Sequence, residues 1–191
     1  MNSFGCVNNT ILLRSGRYFD LARPRPEDVF IEDIAGALSK ICRFGGQSPI
    51  YYSVAEHCCN CFDAARADGL GDDIAKLALL HDAAEAYVGD VVKPLKVMLS
   101  EFGLIESGVE SAIETALGIA WDVDSIREVK RIDMEMLIAE RIAIFGDDGV
   151  KWTGQDHVTK RDLRARFWGP EQAEVQFLGR ALMVGLVAAA G

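Results

Sequence analysis

Apolar residues recur at three- and four-residue steps through most of the chain after residue 28, and that spacing predicts helices. A first helix over residues 31–42 puts Ile34, Leu38, Ile41 and Cys42 on one face. A second opens at Ser53, with Glu56 three residues on in a capping-box pattern. Its inward stripe is Val54, His57, Cys58, Cys61, Phe62 and Ala65. The third begins near Asp72, carries Ile74, Leu77, Ala78, His81 and Ala84 on its packed face, and stops at Gly89-Asp90. Pro94 suits the first turn of a fourth, and a fifth covers residues 105–117. A sixth starts at a second capping-box pattern, Ser125 to Glu128, and reaches Phe145 with Ile126, Val129, Ile132, Met136 and Leu137 inward. A last helix spans residues 170–187, and its apolar face (Phe177, Leu178, Ala181, Leu182) suits either a core or an interface. Before residue 30 the pattern changes. Two short extended pieces flank Ser15-Gly16, a small β-hairpin closed off by Pro24 and Pro26. The expected fold is all-α, a helical bundle with a small N-terminal β-hairpin. With no repeat, low-complexity segment or Pro/Gly-rich linker, one domain over residues 1–191 is expected, its first 30 residues a hairpin-like extension.

Three of these stripes are interrupted by the wrong kind of residue. His57 sits on the second helix face, His81 and its neighbour Asp82 on the third, and Asp133 on the sixth. A single buried histidine is ordinarily a core residue with a hydrogen-bond partner, but four such residues on converging faces would each need a partner of their own. A divalent cation satisfies all four. Two imidazoles and two carboxylates suit Mn, Co, Fe, Zn, Ni or Mg, and an ion with open positions polarises a substrate oxygen and acidifies water. Glu85 lies three residues after Asp82 and can face the same cavity, where a carboxylate would take or deliver a proton. Asp90 is a second acid, just after Gly89.

These residues carry a resemblance. The pattern His57, His81-Asp82, Asp133 resembles the HD-domain metal-dependent phosphohydrolases. The stretch from His81 to Lys96, with Glu85, Gly89-Asp90 and Pro94, is most similar to bacterial 5′-deoxynucleotidases and to phage deoxynucleotide phosphohydrolases of the dATP-triphosphohydrolase kind. The similarity extends from about Ser15 to Phe145. It implies one divalent ion held by His57, His81, Asp82 and Asp133, with Glu85 and Asp90 handling water and protons. It assigns Arg43 to the substrate phosphate, where a guanidinium fork fits, and Lys96 to a position near the phosphates. Phe44 stands where the deoxynucleotidases often carry Trp, which implies an apolar wall on the sugar. The implied reaction is hydrolysis of a phosphate ester or anhydride bond of a dNMP or dNTP by a metal-activated water, in a protein that assembles as a homo-oligomer.

Composition narrows the alternatives. A net charge of −9 argues against a broad groove for a nucleic-acid polymer, but not against a small nucleotide. The longest apolar run, residues 181–190, is too short to cross a bilayer, and no basic-plus-apolar leader precedes residue 30, so a cytoplasmic protein is expected. Five cysteines, at 6, 42, 58, 59 and 61, give an odd count without the second pair that a zinc ribbon needs, and Cys58 and Cys61 read as small core residues. A dimetal HD-type oxygenase would need further histidines, and His157, the remaining one, lies in a polar, surface-like segment. A non-catalytic nucleotide-sensing module would have no use for Glu85 and Asp90. A stringent-response alarmone hydrolase rests on fold analogy alone.

Overall fold

In the computed structural model, which describes residues 9–152, 156, 159, 161, 163 and 165–187, the chain opens with an antiparallel hairpin. Strands β1 (Thr10–Leu12) and β2 (Tyr18–Asp20) pair with Ile11 opposite Phe19, and Gly16 takes the positive φ that the turn requires. Asp33 docks the hairpin tip by accepting from the Ser15 backbone N–H (2.9 Å) and hydroxyl (2.8 Å). Among the described residues eight α-helices follow: α1 (Ile31–Leu38), α2 (Val54–Ala67), α3 (Gly71–Leu80), α4 (Glu85–Val88), α5 (Lys93–Met98), α6 (Phe102–Leu117), α7 (Val123–Phe145) and α8 (Pro170–Met183). The fold is thus the expected helical one with a two-stranded hairpin. Among the described residues no helix is long and apolar enough to cross a membrane. Cys6 and His157 lie outside the described residues.

The central element is α2, which packs against α3, α7 and α8 and is buried on nearly every side. A helix so placed would be expected to be apolar all round, yet it buries Glu56, His57 and Asn60. Each has a partner. Asn60 donates to the Tyr52 hydroxyl (2.8 Å), and His57 meets Glu140 of α7. Glu56 accepts the backbone N–H groups of Arg166, Phe167 and Trp168 at 2.7, 3.0 and 2.7 Å, clamping the segment that leads into α8. The anticipated box at the start of α2 is therefore half formed. Ser53 accepts from the Glu56 N–H, while the Glu56 side chain serves residues 166–168 instead. Phe177 and Ala181 of α8 are fully buried, which makes its apolar face core; Leu182 stays 47% exposed.

Several boundaries differ from the sequence pattern. Helix α1 ends at Leu38 rather than near Cys42 because Cys42 bridges Ser53, with Val54 N–H donating to Ile41 O and Arg43 N–H to Tyr52 O. That pairing makes residues 41–43 extended and aims Arg43 at the middle of the bundle. Helix α3 stops at Leu80, before His81-Asp82, and the chain crosses to α4 through tight turns such as Ala83 N–H to Leu80 O. The His81 Nδ1–H donates to Ala78 O (2.8 Å), the carbonyl that a regular helix would offer to the Asp82 N–H. Helix α7 begins at Val123, two residues before Ser125, its box formed by Asp122 with Ser125; α6 begins at Phe102 rather than at residue 105, and α8 ends at Met183. Ile126, expected inward, is 37% exposed and lines a cavity.

Replacing Glu56 by Ala leaves three backbone N–H donors without their acceptor. At roughly 1–3 kcal/mol for each buried group left unpaired, urea denaturation should show a loss of at least about 3 kcal/mol.

Candidate metal centre

Four side chains from three parts of the chain meet where α2, the α3–α4 joint and α7 converge. His57 Nε2 lies 3.2 Å from His81 Nε2, 3.2 Å from Asp133 Oδ1 and 3.6 Å from Asp82 Oδ2. His81 Nε2 lies 3.3 Å from Asp82 Oδ2 and 3.7 Å from Asp133 Oδ1. Donor atoms about 2.1 Å from one ion stand about 3.0 Å apart at the edge of an octahedron and about 3.4 Å apart in a tetrahedron. Three of the five separations fall in that range, and the other two, 3.6 and 3.7 Å, lie just beyond it.

The tautomers agree. Ala78 O can only accept, so His81 Nδ1 carries the hydrogen, and its Nε2 offers a lone pair. His57 Nδ1 lies 2.7 Å from Glu140 Oε1, a carboxylate that His57 and Arg43 hold below its usual pKa against the opposing pull of complete burial. His57 Nδ1 is therefore also the donor, and its Nε2 also presents a lone pair. Two such lone pairs 3.2 Å apart repel unless a cation stands between them. Burial, the largest influence on His81, would depress its pKa, but Asp82 and Asp133 outweigh it and hold the imidazole well above 6.5.

The remaining anticipated residues surround this group. Glu85 is buried, with Oε2 lacking a hydrogen-bond partner among the described residues. Burial first, then the charges of Asp82 and Asp90, push its pKa up to about 8. Asp90 is raised too, chiefly by burial, and feels the charges of Arg43, Asp82 and Lys96. Lys96 Nζ lies 2.7 Å from Glu106 Oε1 and 3.7 Å from Glu85 Oε1. Arg43 is buried between two carboxylates, its Nη1 3.4 Å from Asp82 Oδ2 and its Nε 3.1 Å from Glu140 Oε2. Phe44 packs edge-on against Phe145 at 5.3 Å, and its φ of 59° is a left-handed conformation rare for a bulky side chain. Gly45 continues the turn at φ 60°, and a Cβ there would meet Val92 Cγ1 at 3.3 Å, so the turn beyond Arg43 abuts the segment just past Asp90.

Sequence reasoning missed Glu140 and the nearness of the thiols. Glu140 lies seven residues after Asp133 on α7, two helical turns along the same face, which is the one signal that could have marked it. Cys58 and Cys61 are fully buried, as expected for core residues, yet Cys61 Sγ is also 3.6 Å from His57 Nε2. The groups His57, Cys61, His81 and Cys58, His81, Asp82 each bring donor atoms within 4.8 Å of one another, so this buried cluster can hold a metal ion. The local charge fits one as well. Among the described residues six carboxylates (Asp82, Glu85, Asp90, Glu106, Asp133, Glu140) face two cations, Arg43 and Lys96, and a divalent ion offsets much of the excess.

Two bacterial proteins resemble the chain in sequence. YfdR of Escherichia coli K12 is 36% identical over 138 residues, 72% of this chain and 74% of its own length. RCAP_rcc00048 of Rhodobacter capsulatus is 33% identical over 180 residues, 87% of this chain and 90% of its own length. Both are described as uncharacterized proteins. No family model matches the chain.

Because Glu140 fixes the His57 tautomer, Glu140→Gln should weaken binding of manganese roughly 10–100-fold by isothermal titration calorimetry. In the unaltered chain protons compete for Nε2. Affinity should be full at alkaline pH and fall as pH drops through the raised His81 pKa, with the decline already under way above pH 6.5.

Proposed function

We propose that this chain, which belongs to the family of YfdR and RCAP_rcc00048, is a metal-dependent phosphohydrolase of the HD type acting on (deoxy)nucleotides. The observation that carries the reading is a buried carboxylate, Glu85, with an unpaired oxygen beside a four-residue ion cradle. A site that only bound nucleotides would gain nothing from holding an acid there at the cost of its desolvation. His57, His81, Asp82 and Asp133 would hold one divalent ion, with Mn, Fe, Co, Ni, Zn and Mg all compatible with the donors. When bound, it supplies Lewis-acid polarisation of a phosphoryl oxygen and a more acidic water.

The chain's own groups do the rest. Arg43 meets a phosphate oxygen with the guanidinium edge that it now turns toward Asp82, and Lys96 adds a second positive charge next to Glu85. Glu85, already pushed toward neutral pH, takes a proton from water or returns one to the leaving oxygen, with Asp90 as its neighbouring acid. Phe44 gives an apolar rim beside the Arg43 guanidinium that meets the phosphate. Catalysis of this kind is mostly positioning and charge stabilisation. We also propose a cytoplasmic homo-oligomer. Val97 and Met98 of α5 and Leu104 of α6 are 80%, 79% and 78% exposed, apolar side chains that a second subunit would cover.

The purified, metal-loaded chain should hydrolyse dAMP, releasing phosphate, or dATP, releasing triphosphate; identifying the anion separates the two. Glu85→Ala should cut turnover by roughly 10²–10⁴-fold while nucleotide binding persists. Turnover of neither nucleotide, or an unimpaired Glu85→Ala enzyme, would contradict the proposal.

A further inference from the structure

A cavity of about 410 Å³ lies between α6 and α7, and two of the ion-cradle residues, His81 and Asp133, help to line it. Small-molecule sites commonly measure about 300–1,000 Å³, so one ring system and a sugar fit. Trp121, half-buried in the loop before α7, supplies an aromatic face, with Ile113, Ile126 and Val129 as further apolar wall. The polar lining is Glu110, Glu114 and Lys130. Arg43, Glu85, Asp90 and Lys96 take no part in it. The acid–base group thus borders the centre through Asp82, whereas the cavity borders it through His81 and Asp133. A phosphate seated at the centre can face the acids while the organic part of the same molecule enters the cavity.

We infer that this cavity is the nucleobase site of the proposed enzyme, with Trp121 stacking on the base and Glu110 and Glu114 receiving its N–H edge. The inference rests on the phosphohydrolase reading and adds to it which end of the substrate goes where. Two glutamates against the single cation Lys130 leave the polar lining net negative, which disfavours a phosphate tail and favours a base with N–H donors. Partial desolvation, with Glu106 and Glu114 close by, raises the Glu110 pKa against the opposing charge of Lys96, a cost that bound N–H donors relieve. Guanine, with two adjacent N–H groups on one edge, matches a single carboxylate best. Stacking alone is indifferent to base identity, so discrimination belongs to the glutamates.

The test is calorimetric binding of dGMP, dTMP and inorganic phosphate to the full chain loaded with manganese. The unaltered protein should bind dGMP more tightly than dTMP, and both more tightly than phosphate. Trp121→Ala should lower the dGMP-to-phosphate affinity ratio at least tenfold, and Trp121→Phe should restore most of it. Ile126→Trp, which fills the cavity from a partly exposed position, should lower the ratio as well and serves if Trp121→Ala does not fold. Glu110→Gln with Glu114→Gln should reduce the preference for dGMP over dTMP. A ratio that neither Trp121→Ala nor Ile126→Trp changes would overturn the cavity assignment and leave the phosphohydrolase standing. A chain that binds manganese but neither nucleotide nor phosphate would overturn both.

Discussion

Two imidazole nitrogens held 3.2 Å apart, each ring already committed through its other nitrogen to an acceptor, set the terms for the rest of the molecule. Lone pairs so placed need a positive charge between them. Asp82 and Asp133 each lie within 3.7 Å of both nitrogens, so the four side chains of the proposed centre crowd one spot. Three structural pieces have to be in register for that to happen: α2, the joint between α3 and α4, and α7. The ion site and the packing of the bundle are therefore one problem. Asp82 and Asp133 hold the His81 pKa above its ordinary value, so a proton competes with a cation for the same Nε2.

The supporting groups explain features of the fold that packing alone would not require. Glu140 joins His57, Tyr52 and Arg43, with Tyr52 O–H donating at 2.7 Å, and so ties the first ligand to the turn that carries Arg43. Arg43 in turn reaches the ligand Asp82. The unusual left-handed backbone at Phe44 follows from this arrangement: the chain leaves the Cys42–Ser53 bridge, delivers Arg43 inward, and must reverse within three residues against Val92. At the other end of α2, the three N–H bonds to Glu56 hold the entrance to α8. A helix of low hydropathy can be central because each of its polar groups has a fixed partner.

Much of this was legible in the chain. The breaks that His57, His81-Asp82 and Asp133 make in their stripes pointed to residues that do meet, and Glu85, Asp90, Arg43 and Lys96 gather round them. The helices and the hairpin follow from periodicity and turn residues. What periodicity could not supply was anything decided by a distant partner. Helix α1 stops early because residue 42 pairs with residue 53, and α3 yields at His81 because its side chain takes a backbone carbonyl. Glu140 looked like an ordinary glutamate on a long helix, and only the position of His57 across the core gives it a role. Cys61 fits the core pattern and borders the centre at the same time, a double position that spacing cannot resolve.

That double position also sets the sharpest test. X-ray absorption at the zinc edge of the zinc-loaded chain reports the atoms bound to the ion. The account predicts one zinc per chain with two imidazoles and oxygen or nitrogen neighbours at about 2.0–2.1 Å, and no sulfur shell. A sulfur neighbour at about 2.3 Å would place the ion on Cys58 or Cys61 instead, and zinc bound without imidazole would remove it from the His57–His81 gap. Either result would contradict the four-ligand centre.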